Sequence, residues 1–173
     1  KLINYINKNC EGIPLDKFIE ICLFHKKGYY KNNQVIGSNA DFITAPEISQ
    51  LFGEIIGLYI YDIWIKHFRC EFNFIELGPG KGTFLLDFLR INKNFKLFIN
   101  SINLRLIEIN NYLIKFQKNI LSNTQFDLNK TKWSKGLEST KDQPTIIFAN
   151  EFFDCFPIKQ FLNINQKWYE KKI

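Results

Sequence analysis

The feature that most constrains this chain is the run Glu76-Leu77-Gly78-Pro79-Gly80-Lys81-Gly82-Thr83, set between an apolar stretch and a segment of helical period. Three glycines in five residues open backbone conformations closed to other residues and let main chain approach a ligand at a helix N-terminus. Before the turn, Phe72 to Leu77 reads as a short apolar strand; after it, the apolar residues of Thr83 to Arg90 recur at helical spacing. Strand, glycine turn and helix in that order belong to doubly wound α/β folds, whose ligands bind at the carboxyl edge of the sheet. A Walker A loop would need Gly at position 75 and Ser or Thr at position 82, where this chain has Ile75 and Gly82. The dinucleotide fingerprint is spaced G-x-G-x-x-G, whereas this turn reads G-x-G-x-G with an acid two residues ahead of it. Taken alone, the turn also fits a structural glycine bend.

Two further elements bear on its meaning. Leu104 to Ile109 reads as a second strand, followed by a helix from about Asn111 to Leu121, and Glu108 lies at the strand's end. Doubly wound folds place an acid there to accept both ribose hydroxyls; the alternative is an ordinary exposed strand-end glutamate. Thr145 to Ala149 is suited to a buried parallel strand, and Asn150-Glu151-Phe152-Phe153-Asp154 follows it directly. Two carboxylates beside two aromatics on that edge suit a cationic or amide substrate, although acids also complement the dipole of a helix that begins there. An acid two residues before a G-x-G-x-G turn is the pattern associated with S-adenosylmethionine, and an acid at the end of the next strand strengthens it.

Upstream, Leu15, Phe18, Ile19, Cys22 and Leu23 predict a helix ending before Gly28. Residues 28 to 46 read as an irregular loop. Thr44 or Ala45 ahead of Pro46, with Glu47 just inside, predicts a helix running through Ile48, Leu51, Ile55 and Tyr59 to about His67. Residues 1–70 are therefore expected to form a helical and lid region, and 71–173 a partial Rossmann-like domain. Ile158 to Asn163 and Lys167 to Lys171 are read as a terminal hairpin around Asn165. The net charge of +6 comes from lysines scattered among Asn and Ile, with no dense basic block, so no nucleic-acid partner is expected. Cys10, Cys22, Cys70 and Cys155 are far apart and form no metal-ligand spacing with His25 and His67; they are expected to be reduced thiols, with no metal. No apolar run reaches the roughly 20 uncharged residues of a membrane helix, and the start carries no signal pattern. The chain has no Met, so it is expected not to be a complete unprocessed product.

The segments GYY (Gly28 to Tyr30), DFITAPEISQLFGEIIG (Asp41 to Gly57), FIELGPGKGT (Phe74 to Thr83) and ANEFFDCFPIKQF (Ala149 to Phe161) resemble the MidA-type methyltransferases. That family includes a mitochondrial complex I assembly factor that dimethylates an arginine of a core subunit. The resemblance runs from about Leu15 to Glu170 and implies a class I methyltransferase fold, cut short here, that uses S-adenosylmethionine on a protein arginine. It implies that Glu76, Gly78, Pro79, Gly80, Gly82, Glu108 and Asn150 bind the cofactor, and that Glu151 and Asp154 hold the acceptor guanidinium. Tyr29, Tyr30, Thr44 and Glu47 are then candidates for a lid. The implied partner is a protein bearing the acceptor arginine, a complex I core subunit, in the mitochondrial matrix or a bacterial cytoplasm. Lys81 stands where the family has Arg, keeping the charge without the planar fork. A non-catalytic assembly protein of the same family and a nicotinamide-dependent oxidoreductase are the competing readings.

Overall fold

The computed structural model describes residues 2–8, 12–26, 28–29, 44–140 and 142–173. In chain order the elements are α1 (Leu2–Asn7), α2 (Leu15–Phe24), α3 (Ala45–Ile48), α4 (Gln50–His67), β1 (Phe72–Leu77), α5 (Thr83–Asn92), α6 (Lys96–Ser101), β2 (Ile102–Ile107), α7 (Asn111–Ser122), β3 (Thr131–Ser134), β4 (Thr145–Ala149), β5 (Phe161–Ile164) and β6 (Lys167–Glu170). They divide into two compact units, Ile36–Asn150 and the pair Lys1–Val35 with Glu151–Ile173. Helix α4 thus belongs to the same compact unit as the sheet.

The larger unit is an α/β layer structure of the Rossmann-like kind. Its four strands run in the order β3-β2-β1-β4, every neighbouring pair parallel. β1 lies between β2 and β4, and all six of its residues are buried, which is why its sequence, FNFIEL, is mostly apolar rather than alternating. Glu76 is the one acidic exception in that run. Phenylalanines dominate the core: Phe74 stacks on Phe88 at 5.0 Å between ring centroids, and Phe84 on Phe148 at 4.0 Å. Trp64 is buried with its indole N–H donated to the Cys70 carbonyl at 2.9 Å, so the ring enters the core without an orphaned polar atom.

Helix α4 lies directly against α5. A Cβ at Gly53 would come within 2.6 Å of Asp87 Cβ, and one at Gly57 within 2.9 Å of Asn92 Nδ2, so the two backbones approach more closely than any side chain there allows. The single helix predicted from residue 45 to 67 is in fact two. Ser49 is extended, at φ −146° and ψ 123°, and the chain restarts as α4 at Gln50. Periodicity misses the break because the apolar positions on either side share one helical phase.

Other differences have equally local causes. β2 spans Ile102–Ile107, two residues earlier than predicted, and this puts Glu108 just beyond the strand. α6 and β3 were not legible: the first is six residues long, too short to show a period, and the second is a four-residue strand that carries a lysine. β4 forms as expected, but it is not buried on both faces. Among the described residues it pairs with β1 alone, and Ile147 in it is 53% exposed.

In the smaller unit β5 and β6 pair antiparallel. Asn165 and Gln166 between them have φ of 49° and 64°, the two left-handed residues that a tight hairpin turn requires. The chain end then adds to the residues before α2: the Ile13 amide donates to the Ile173 carbonyl at 3.0 Å, and Ile173 donates back at 2.9 Å. Among the described residues, no helix is long and apolar enough to cross a membrane.

Candidate functional site

The parallel register decides which residues meet at the carboxyl edge of the sheet. Leu77 lies between Ile107 and Ala149 in one row, so Gly78, Glu108 and Asn150 leave their strands at the same level. Gly78, Gly80 and Gly82 have φ of 63°, 55° and 76°, all left-handed, so residues with a side chain would be strained at each. The Gly78 amide donates to the Ile107 carbonyl at 3.0 Å and hooks the turn to β2; the Gly82 amide donates to the Pro79 carbonyl at 2.7 Å and closes it. A Cβ on Gly82 would also lie 2.9 Å from Ile120 Cδ1 of α7, so this glycine answers both to conformation and to space. Thr83, the first residue of α5, donates its hydroxyl to the Glu47 carboxylate, which ties α3 to the start of that helix.

Two acids stand in this edge with little water. Glu76 is 4% exposed, its Oε2 has no hydrogen-bond partner in the structure, and burial pushes its carboxyl up to about 8 from the usual 4.5. A buried carboxyl left half-satisfied costs on the order of 1–3 kcal/mol, a cost that a donor from a ligand would remove. Glu108 is 8% exposed and better held. Its Oε1 accepts the amides of Ile109 and Asn110, both at 2.8 Å. Burial raises its pKa, and these bonds work in the opposite direction. Asn110 also accepts the Tyr112 amide at 2.9 Å as the N-cap of α7, so the acid's loop is fixed from both sides.

Gln117 and Trp133 escaped the sequence reading. The signal was present: Leu113, Ile114, Ile120 and Leu121 form the apolar stripe of α7, and a glutamine in that stripe is a polar residue aimed inward. Trp133 stands in a polar stretch of the sequence, where no apolar period marks it.

The other sequence-predicted residues are placed as follows. Pro79 is buried within the turn, and Asn150 is partly buried at the end of β4. Glu151 and Asp154 are exposed and belong to the smaller unit, Asp154 inside a three-residue 3-10 turn, Phe153–Cys155. No α-helix begins there, so complementing a helix dipole does not account for these acids. Glu151 is left-handed at φ 48°, a conformation that a glutamate adopts only at some cost. Of the suggested lid residues, Tyr29, Thr44 and Glu47 are described, whereas Tyr30 and residues 31–43 lie outside the described residues.

The edge therefore carries a glycine turn, an under-satisfied buried acid at the end of the first strand and a preset acid after the second. This donor and acceptor set fits a ligand with an ammonium group and a ribose. The family model described as "Putative S-adenosyl-L-methionine-dependent methyltransferase" matches residues 55–173. The chain belongs to this family. Among curated relatives it is 34% identical over 162 residues to "Protein arginine methyltransferase NDUFAF7, mitochondrial" of Danio rerio, covering 83% of this chain and 38% of that protein. To the protein of the same name from Bos taurus it is 32% identical over 164 residues, covering 83% and 37%. The chain thus spans well under half the length of the curated relatives it matches. A crystal structure of a superfamily member from Burkholderia thailandensis bound to S-adenosyl-homocysteine superposes with a TM-score of 0.77 at 18% identity, covering 99% of this chain and 45% of that one. That likeness carries the fold, a Rossmann-like methyltransferase architecture. A nicotinamide-dependent oxidoreductase does not agree with the family match.

Proposed function

We propose that this chain carries the S-adenosylmethionine site of a protein arginine methyltransferase, and that the acceptor is an arginine of a respiratory complex I core subunit. The observation that carries the reading is the pair of buried acids, Glu76 and Glu108, at the carboxyl ends of adjacent parallel strands on either side of the left-handed glycine turn. The relatives named as mitochondrial arginine methyltransferases support the substrate class and favour the mitochondrial matrix over a bacterial cytoplasm.

In this reading Glu76 takes the amino group of the methionine end, directly or through water, and is held ionised by that cation. Glu108 accepts the ribose hydroxyls with the oxygen that its own loop does not use. Gly78, Pro79, Gly80 and Gly82 offer backbone, and Asn150 lines the edge from β4. When bound, the cofactor supplies an electrophilic methyl on a sulfonium, so the protein's own task is positioning and electrostatics. Glu151 and Asp154 receive the guanidinium. That group keeps its charge at neutral pH, and two carboxylates orient it through charge-assisted hydrogen bonds. Their support is their place in the chain, one and four residues past Asn150, and the lack of a helix for them to cap.

The test is calorimetric titration of the full-length protein with S-adenosylhomocysteine. Gly80→Val places a branched side chain in a left-handed turn, and Glu108→Ala removes charged hydrogen bonds worth roughly 1.5–3 kcal/mol each. Binding is expected to be lost or weakened at least tenfold in both. Unchanged affinity in either folded variant removes the site assignment. Cofactor binding without transfer to an arginine-bearing partner would instead make this a binding member of the family.

A further inference from the structure

Gln117 is 1% exposed in the middle of the apolar stripe of α7, where a leucine would be easier to bury. Its side chain reaches three parts of the sheet edge at once. Nε2 donates to the Gly80 carbonyl at 2.7 Å, and Oε1 accepts the indole N–H of Trp133, on β3, at 3.0 Å. The same amide acts on the Glu108 carboxyl, favouring its ionised form against the effect of burial. The indole can only donate, and the carbonyl and an ionised carboxylate can only accept, so one orientation of the amide satisfies every partner. Gly82 makes the reach possible: a Cβ there would sit 2.9 Å from Ile120 Cδ1 and 3.7 Å from Gln117 Cγ, holding α7 away from the turn.

We infer that Gln117 is a positioning residue of the cofactor site, which aims the Glu108 carboxylate at the ribose hydroxyls while pinning the glycine turn through Gly80, with Trp133 fixing its orientation. The inference rests on the reading of Glu108 given above, but it concerns a residue that touches no ligand. A merely structural Gln117 would stabilise the fold and leave ligand discrimination alone. A positioning Gln117 makes selectivity for the ribose diol depend on its own amide. Buried networks of this kind act as a unit, so loosening one member is felt at the others.

The experiment compares affinity of the full-length protein for S-adenosylhomocysteine and for its 2′,3′-dideoxy analogue. With Glu108 accepting the hydroxyls, the wild type prefers the natural ligand by roughly tenfold or more. Gln117→Leu is expected to collapse that preference towards one, in addition to weakening the natural ligand. Trp133→Phe removes the donor to Oε1 while keeping a smaller aromatic ring at the site, and is expected to reduce the preference several-fold; it carries the test if Gln117→Leu does not fold. A wild-type preference retained in the folded variants overturns the inference and leaves Glu108 in place. A wild type without any preference, yet binding the natural ligand, overturns the assignment of Glu108 and the role of Gln117 with it.

Discussion

Replacing Glu76 by Gln tests the site through stability, with no need for an acceptor protein. In the folded chain burial pushes the Glu76 carboxyl up to about 8, whereas in the unfolded chain it titrates near 4.5. Between these values the folded form holds a proton that the unfolded form has released, so this group's contribution to stability is fully present below about 4.5 and is lost as pH rises towards 8. The slope approaches 1.4 kcal/mol per pH unit, so roughly 3 kcal/mol is forgone at pH 7. Glutamine has the same shape and does not titrate. The variant's stability advantage over wild type should therefore grow by roughly 2–3 kcal/mol between about pH 5.5 and 7.5, whatever constant cost its buried amide adds. Urea unfolding of the ligand-free protein at several pH values, followed by tryptophan fluorescence, measures this directly. Other titrating groups are common to both proteins and cancel in the difference. Saturating S-adenosylhomocysteine should stabilise the wild type, by about 2.7 kcal/mol at a hundredfold excess over Kd, and the variant much less. Parallel pH profiles would refute the burial argument; equal stabilisation by ligand would refute the role in binding.

Three further outcomes follow from particular contacts. Gly53→Ala puts a Cβ 2.6 Å from Asp87 Cβ and should destabilise the chain by about 1–3 kcal/mol by forcing α4 off α5, seen as a lower urea midpoint with unchanged m. Thr83→Val removes the hydroxyl that bonds Glu47 and should cost roughly 0.5–1.5 kcal/mol, while Thr83→Ser should restore most of it. In the full-length enzyme assayed with its arginine-bearing partner, Glu151→Gln and Asp154→Asn are expected to lower turnover by a factor on the order of 100 with little change in cofactor affinity. Wild-type turnover in both would remove these acids from the acceptor site.

Short-range order was written in the sequence wherever a period or a steric exception marked it. The apolar weight of β1 meant a strand, and the three glycines meant a turn closed to other residues, because those demands act on neighbouring residues and leave their trace in composition. Glu76 and Glu108 could be named from their positions at the ends of predicted strands. What they do there was not legible. Glu108 is held by the amides of the two residues that follow it, through the local path of the loop, whereas the bare oxygen of Glu76 depends on the burial of the strand around it. The break at Ser49 and the weak strand β3 were hidden because neither disturbs a hydrophobic period. Gln117 is the clearest case of tertiary decision. Its partners, Gly80 and Trp133, lie 37 residues before it and 16 after it in the chain, and only the parallel sheet, by stacking three strand ends side by side, turns one polar residue on an apolar stripe into a joint between them.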